Sequence, residues 1–250
     1  MPAPAAGPDV AAAFAELAET LASDLDIDTY LIAVCRHCVR LVGSESAAIL
    51  YAAGDDGSVS AAASDERGLM LALGAPGTRD GARPPDGPWT DCKETGQLIT
   101  IADLAAKYDR WPWFAKSAVQ AGFTTITLVP VSSPDGIVGA LALLGGRPPD
   151  VAGILLALSL ADAAGAGLAV SREHRRQEVA ITQLQSALTS RIVIEQAKGI
   201  LAERWKIAPD ETFCHLRRHA RSTQRGLPDV ARAVIAGTCD LTRPDPVAPA

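Results

Sequence analysis

The chain has 250 residues, a net charge of −6 and 48% hydrophobic residues, which is typical of a globular protein with one or two domains. Its five cysteines form no regular framework, and the odd number indicates reduced thiols in a cytoplasmic protein rather than a secreted disulfide scaffold. The N-terminal residues lack the charged and apolar regions of a signal peptide, so no export signal is recognised there.

The chain begins with a predicted disordered tail at residues 1–9, followed by two predicted helices. Apolar side chains recur at helical spacing over residues 10–22 and 28–42. Asp28 is the expected N-cap of the second helix, because a carboxylate there can accept a hydrogen bond from a free backbone N–H.

Short strands are then predicted at residues 47–52, 59–64, 98–101, 124–131 and 137–144. Turn residues at 54–57 (GDDG) and 133–136 (SPDG) indicate hairpins. Helices are predicted at residues 65–73, 91–95 and 113–121, with a Gly- and Pro-rich loop at 74–88. Strands interleaved with helices, with hairpins among the strands, indicate an α+β domain around an antiparallel sheet.

Residues 151–170 form an apolar run long enough to cross a membrane. Asp162 lies near its centre and many of its residues are small, so the run fits a buried helix, or one pressed against a partner subunit, better than a membrane span.

The residue pattern from 170 to 237 predicts only helices. Ile181, Leu184 and Leu188 have the spacing of a short coiled-coil seam within a long helix that ends near Lys206. Pro209 and Pro228 each stand at the favoured first position of a further helix, and Gly237 is a suitable C-cap. Three short amphipathic helices can enclose one small core.

The charge is unevenly distributed along the chain. Residues 1–169 carry 10 Lys/Arg and 20 Asp/Glu, whereas residues 170–237 carry 12 Lys/Arg and 7 Asp/Glu. A basic segment attached to an acidic body indicates a polyanion as partner of that segment only.

The helix at residues 190–204 contains an unusual glycine. Its apolar stripe includes Val193, Ala197 and Leu201, while Gly199 interrupts the helix interior. A glycine there costs about 1 kcal/mol relative to alanine, which indicates that something approaches the backbone closely.

Residues 10–170 resemble a GAF domain. The resemblance lies in the order of elements and in residues 95–104 (TGQLITIADL), 127–131 (TLVPV) and 136–144 (GIVGALALL). It implies a sensory domain that binds a small-molecule signal or dimerises. No ligand signature is present, so the ligand residues stay unassigned and no cofactor is expected.

Residues 184–237 resemble an ANTAR domain, the three-helix output module of bacterial transcription antitermination regulators. The matching phrases are residues 194–201 (IEQAKGIL), 213–217 (FCHLR), 220–221 (AR) and 227–231 (LPDVA). The resemblance implies binding of paired hairpin loops in nascent RNA. Two residues depart from the family pattern: Ala208 replaces a capping Ser or Thr, and Thr212 replaces Ala.

The candidate RNA-binding residues combine this resemblance with the chemistry of RNA loops, which need cations for phosphates and forked donors for base edges. They are Arg191, Gln196, Ala197, Lys198, Gly199, Arg217, Arg218, Arg221 and Arg225. The alternative is that these charges only solvate helix faces, with Arg191 and Glu195 forming an ordinary i,i+4 pair.

Other kinds of site are disfavoured by spacing. Residues 35–38 (CRHC) have CxxC spacing, but no second ligand pair follows, and Cys38 falls on an apolar stripe. No catalytic constellation is recognisable, so an enzyme is not expected.

The sequence therefore predicts a GAF-like antiparallel sheet flanked by helices and joined by a long helix, coiled-coil-like at residues 171–188, to a C-terminal three-helix bundle, with a disordered tail at 238–250. The expected protein is a cytoplasmic homodimer that binds RNA. The rival prediction is a dimerising signalling protein whose C-terminal bundle binds a protein partner.

Overall fold

The computed structural model describes residues 7–22, 26–54, 58–74, 87–239 and 241. The chain divides into two compact units, Met1–His174 and Arg175–Ala250. The boundary between them falls inside one helix of 55 residues.

The first unit contains a five-stranded sheet and most of the helices. In chain order the elements are α1 (Gly7–Ala22), α2 (Ile27–His37), a π-helical turn (Cys38–Val42), β1 (Ser46–Ala52), β2 (Val59–Ala63), α3 (Glu66–Leu73), α4 (Pro88–Thr95), β3 (Ile99–Ile101), a 3-10 turn (Ala105–Lys107), α5 (Pro112–Gln120), β4 (Thr125–Ser133), β5 (Gly136–Gly145) and the first part of α6 (Val151–Trp205).

The sheet has the order β2-β1-β5-β4-β3, and all neighbouring strands are antiparallel. The hairpin β4–β5 is fixed by the turn at Ser133–Gly136, with a register irregularity between Val131 and Ser132. The predicted α+β architecture with an antiparallel sheet is confirmed. The turn predicted at residues 54–57 and the loop at 74–88 lie mostly outside the described residues.

Both faces of the sheet are covered, so the first unit has two hydrophobic cores. One core joins the sheet to α1, α2 and α6 through side chains such as Leu17, Val34 and Leu160. The other joins it to α3, α4 and α5 through Leu71, Trp89 and Phe114. Burial on both sides explains why β4 and β5 have nearly continuous apolar sequences rather than alternating ones.

The N-cap of α2 differs from the sequence prediction. Asp26, not Asp28, stands at the N-cap, and its carboxylate accepts a hydrogen bond from the Thr29 N–H at 3.3 Å. Asp28 lies in the first turn and accepts a hydrogen bond from the Tyr51 hydroxyl at 2.6 Å. The prediction was wrong because the Asp28 carboxylate is hydrogen-bonded to Tyr51 on β1. Local sequence patterns contain no information about a partner so far away in the chain.

Two glycines let α6 lie close to its neighbours in the first unit. A Cβ on Gly165 would stand 1.8 Å from the Ser132 carbonyl oxygen, and one on Gly167 would stand 2.3 Å from the Tyr30 ring. The same region passes the length and composition test for a membrane span, yet 44% of its most apolar stretch is buried within the chain. This burial is typical of a core helix, as predicted for residues 151–170.

The second unit consists of the end of α6, α7 (Pro209–Ser222) and α8 (Leu227–Ile235). Their apolar faces enclose one core that includes Leu201, Trp205, Leu216 and Val234. The helix starts at Pro209 and near Pro228 are confirmed, as is the absence of a capping side chain at Ala208.

The predicted tails are corrected at their inner ends. Helix α1 already begins at Gly7, within the tail predicted for residues 1–9. At the other end, Leu241 is buried in the bundle core and Cys239 packs against it, although both fall in the tail predicted for 238–250. Residues 1–6, 240 and 242–250 lie outside the described part of the chain.

Candidate nucleic-acid interface

Gly199 lies on the exposed side of α6 in the second unit. A Cβ added there would meet no atom of the described residues within 4 Å. This is the opposite of Gly165 and Gly167, which are required by internal packing. No contact among the described residues therefore requires a glycine at this position. Its destabilisation of the helix, about 1 kcal/mol relative to alanine, is explained by an external partner that approaches the backbone.

Lys198, next to Gly199, is not a free surface cation. Its ammonium contacts both carboxylate oxygens of Glu195, at 3.0 and 3.1 Å, and its side chain is only 14% exposed. The ammonium also lies 5.6 Å from the centre of the Phe213 ring. Glu195 thus pairs with Lys198 at i,i+3 rather than with Arg191, so the alternative pair considered from the sequence does not form.

Five arginines of the second unit are exposed and have no ion-pair partner among the residues that the structure describes: Arg191 on α6, Arg217, Arg218 and Arg221 on α7, and Arg225 after the end of α7. Arg217 and Arg221 lie one helical turn apart. Unpaired guanidinium groups keep all of their donors available for an anion.

Arg225, one of the candidate RNA contacts, does not lie on α7 with Arg217 and Arg221, because the helix ends before it. The helix ends at Ser222, and Gln224 adopts a left-handed conformation with φ of 53°. The Arg225 N–H then bonds to the Ala220 carbonyl at 3.0 Å, which is the Schellman closure of a helix end. Arg225 instead borders a shallow depression with Arg232 and Thr238.

The remaining candidates on α6 differ in accessibility. Gln196 is exposed, as the prediction requires. Ala197 is fully buried in the bundle core, so its side chain packs internally and lies outside the exposed surface. Sequence reasoning placed Ala197 both on the apolar stripe and among the RNA contacts, and the structure supports only the first.

Two histidines of α7, His215 and His219, are half-buried. The His215 ring packs edge-to-face on Trp205 at 5.8 Å, and the Nε2 of His219 lies 3.6 Å from the Cys239 Sγ. Both are explained by the way α7 packs against its neighbours, which helical periodicity alone does not specify.

Thr212, which replaces the family's alanine, is accommodated in the fold. It is buried, and its hydroxyl donates to the Pro209 carbonyl at 2.6 Å and lies 3.5 Å from the Lys198 carbonyl. The start of α7 is therefore next to the Lys198–Gly199 segment of α6.

The first unit contains a cavity of about 530 Å³ between the sheet and α4. Its lining includes Leu50, Ile137, Trp89 and Lys93, and the Trp89 indole N–H has no hydrogen-bond partner among the described residues. The volume lies within the usual range of small-molecule pockets. No sequence motif pointed to these residues, because they come together only through the packing of α4 on β1, β2 and β5.

The cysteines of the first unit are buried free thiols. Burial raises the pKa of Cys38 to about 12 and that of Cys92 to about 11. Thiols with raised pKa values are protonated at neutral pH and poorly reactive. Among the described residues, no group of three or more His, Cys, Asp or Glu side chains is placed to bind a metal.

Comparison with protein families identifies two matches. The family model of the GAF domain matches residues 24–169. The family model of the ANTAR domain matches residues 182–235. No curated protein matches the chain.

Solved structures with similar folds cover the first unit. The GAF domain of a phosphoenolpyruvate-protein phosphotransferase from Coxiella burnetii is 11% identical, with a TM-score of 0.50, covering 68% of this chain and 98% of that one. Two others have lower TM-scores: a GAF domain from an Acinetobacter phosphoenolpyruvate-protein phosphotransferase (12% identity, TM-score 0.48, 65% and 94% coverage) and free methionine-R-sulfoxide reductase from Neisseria meningitidis (14%, 0.49, 66% and 91%). At these identities the likeness concerns the fold alone.

Proposed function

Since the chain belongs to the GAF domain family and carries an ANTAR domain behind its GAF domain, we propose that it is an antitermination regulator that binds paired hairpin loops in nascent RNA. Both domains are regulatory modules rather than catalytic ones. The general kind of function, a sensory domain joined to an RNA-binding output domain, follows from this architecture.

The observation that carries the proposal is the exposed surface of the second unit. Gly199 leaves the backbone of α6 open, and Arg191, Arg217, Arg218 and Arg221 have no ion-pair partner in the described chain. Phosphates need cations, base edges need forked donors, and a close approach needs a small residue. The surface supplies all three.

Dimerisation belongs to the same proposal. Residues 173–189 of α6 are exposed on every side, and Ile181, Leu184 and Leu188 are 54%, 65% and 61% exposed. An isolated helix that exposes an apolar seam to water is only marginally stable. A second copy of this segment covers the seam and forms a short coiled coil. Two linked ANTAR domains then bind both hairpins of one RNA. Once one domain has bound, the linkage raises the effective concentration of the second domain at the second hairpin.

The proposed input is a small molecule in the cavity beside α4, and the proposed location is the cytoplasm, where nascent transcripts form. A signal at the GAF domain changes how the two α6 segments pair, and hence whether both hairpins are held together.

Electrophoretic mobility shift on a two-hairpin RNA tests the RNA assignment. We expect Lys198→Ala and Arg221→Ala to weaken binding and each to lower the slope of log Kd against log salt by about 1. The matched control is Lys206→Ala, which removes an exposed lysine that pairs with Glu203 outside the proposed surface. Unchanged affinity and salt slope in both site variants would reject the site.

The rival function, binding of a protein partner through the bundle, predicts a different result. Crosslinking in cells would then recover a stoichiometric protein with no enrichment of RNA. The proposal expects enriched transcripts carrying two adjacent hairpins.

A further inference from the structure

Phe213 has an unusual position for a large aromatic residue of a small bundle. Periodicity places it on the apolar stripe of α7, but Thr212, Leu216 and Ala220 occupy the buried side of that helix. Phe213 is partly exposed, and among the described residues it neither belongs to the bundle core nor packs against it. An aromatic ring left partly in water, without a core to fill, is a candidate contact residue.

The ring lies beside the surface described above. The Lys198 ammonium is 5.6 Å from its centre, and the neighbouring Thr212 hydroxyl is 3.5 Å from the Lys198 carbonyl. Arg217 follows Phe213 by one turn of α7, on the same side of the helix. A cation and an aromatic ring are therefore close together, with a forked donor one turn along α7 and the open backbone of Gly199 next to the cation in the sequence.

We propose that Phe213 is a stacking platform for an unpaired nucleobase of the RNA loop, an inference that rests on the RNA-binding function proposed above. Single-stranded loops present unstacked bases, and aromatic side chains bind them face to face. Lys198 supplies the adjacent phosphate contact, and Arg217 the donors for a base edge.

The contact between Lys198 and the ring does not prevent stacking. A cation 5.6 Å from a ring centre is near the outer limit of a cation–π contact, which changes an equilibrium by a factor of about 2 to 5 at an exposed site and by about 30 when the pair is desolvated. Stacking of a base on an aromatic side chain changes affinity by about 10- to 100-fold. In the proposed complex the base lies on the ring and the ammonium turns to the phosphate.

The test uses the full chain with Phe213→Leu, Phe213→Tyr and the neighbouring exposed control Cys214→Ser, titrated with a two-hairpin RNA at several salt concentrations. We expect Phe213→Leu to weaken binding by about 10- to 100-fold without changing the salt slope, since stacking neutralises no phosphate. Phe213→Tyr should bind within about 3-fold of the parent chain because it keeps an aromatic ring. Cys214→Ser should do the same because Cys214 is next to Phe213 but is not the stacking residue. Equal melting temperatures show that the fold is intact.

RNAs with an abasic site at each loop position identify the stacked nucleotide. One abasic position should weaken the parent chain as strongly as Phe213→Leu does, and should not weaken Phe213→Leu any further. Parent-like affinity of Phe213→Leu, together with lost affinity of Arg221→Ala, would overturn the stacking proposal and leave RNA binding intact. If the parent chain itself binds no two-hairpin RNA, both proposals fall.

Discussion

At the scale of single residues, Gly199 has two effects of opposite sign. It weakens the helix that carries it, and it keeps a stretch of backbone open next to Lys198. A residue selected for stability alone would be alanine, because a Cβ there meets no atom in the part of the chain that the structure describes.

We predict that Gly199→Ala raises the stability of the second unit by up to about 1 kcal/mol and weakens RNA binding at least several-fold. Chemical unfolding and RNA titration measure the two effects. The control Gly237→Ala should instead destabilise, because Gly237 has a φ of 70° that alanine adopts only with strain. A Gly199→Ala variant that binds RNA normally would remove the backbone approach from the proposed surface.

His37 is a second residue whose environment has a measurable consequence. It is buried under α1, its Nδ1 accepts a hydrogen bond from the Arg40 guanidinium at 3.1 Å, and its Nε2 lies 3.4 Å from the Glu16 carboxylate. Burial, as the largest cause, lowers its pKa below the ordinary value of 6.5, with Arg40 acting in the same direction and Glu16 opposing it.

A lowered pKa means that the folded state favours the neutral imidazole. The unfolded chain therefore binds more protons between the lowered pKa and 6.5, and stability falls as pH falls through that window. We predict that urea unfolding of the parent chain shows this loss, and that His37→Gln shows a flatter pH dependence over the same range. An identical pH dependence of the two proteins would contradict it.

At the scale of elements, the close packing of α6 on the sheet depends on one missing side chain. A Cβ on Gly165 would stand 1.8 Å from a backbone carbonyl oxygen of β4, which no side-chain movement can relieve.

We predict that Gly165→Ala destabilises the first unit by about 1–3 kcal/mol or more, because the helix or strand must move apart. Thermal unfolding measures the loss, with Ala166→Ser at the exposed neighbouring position as control. If Gly165→Ala unfolds like the control, α6 does not approach β4 as described.

Helix ends in the second unit show how α7 is terminated. Gln224 holds the left-handed position that glycine usually takes, and its neighbours close the Schellman motif. As a consequence, Arg225 is not aligned with Arg217 and Arg221 on α7. It lies instead at the depression beside α8.

At the scale of the whole molecule, the dimer proposed above rests on the exposed seam of α6, which includes Ile181, Leu184 and Leu188. Ile181 and Leu188 lie seven residues apart on that seam and are exposed in the single chain, so replacing them does not disturb any of the three cores.

We predict that Ile181→Glu with Leu188→Glu converts a dimer to a monomer and lowers affinity for a two-hairpin RNA towards that for a single hairpin, by about 100-fold or more. Sedimentation and RNA titration measure these changes. Thr182→Glu with Thr189→Glu places the same charges at the same spacing beside the seam and should preserve both properties. A dimer that survives the seam substitutions would place the interface elsewhere.

Local patterns were sufficient for most of the elements. Apolar runs and the turn residues between them located β4, β5 and their hairpin, and proline and periodicity located α6, α7 and α8, because these signals depend on neighbours within a few residues. The same patterns failed at Asp28, whose partner Tyr51 is 23 residues away.

The sequence by itself determined the architecture, the basic character of the second unit and the chemical types in its candidate surface. Only the tertiary structure decided which of those residues are accessible. It buries Ala197, pairs Lys198 with Glu195, moves Arg225 off α7 and leaves Phe213 outside the core. The physical reason is that composition and period specify which side of a helix is apolar, whereas exposure and pairing depend on how three helices pack around one small core.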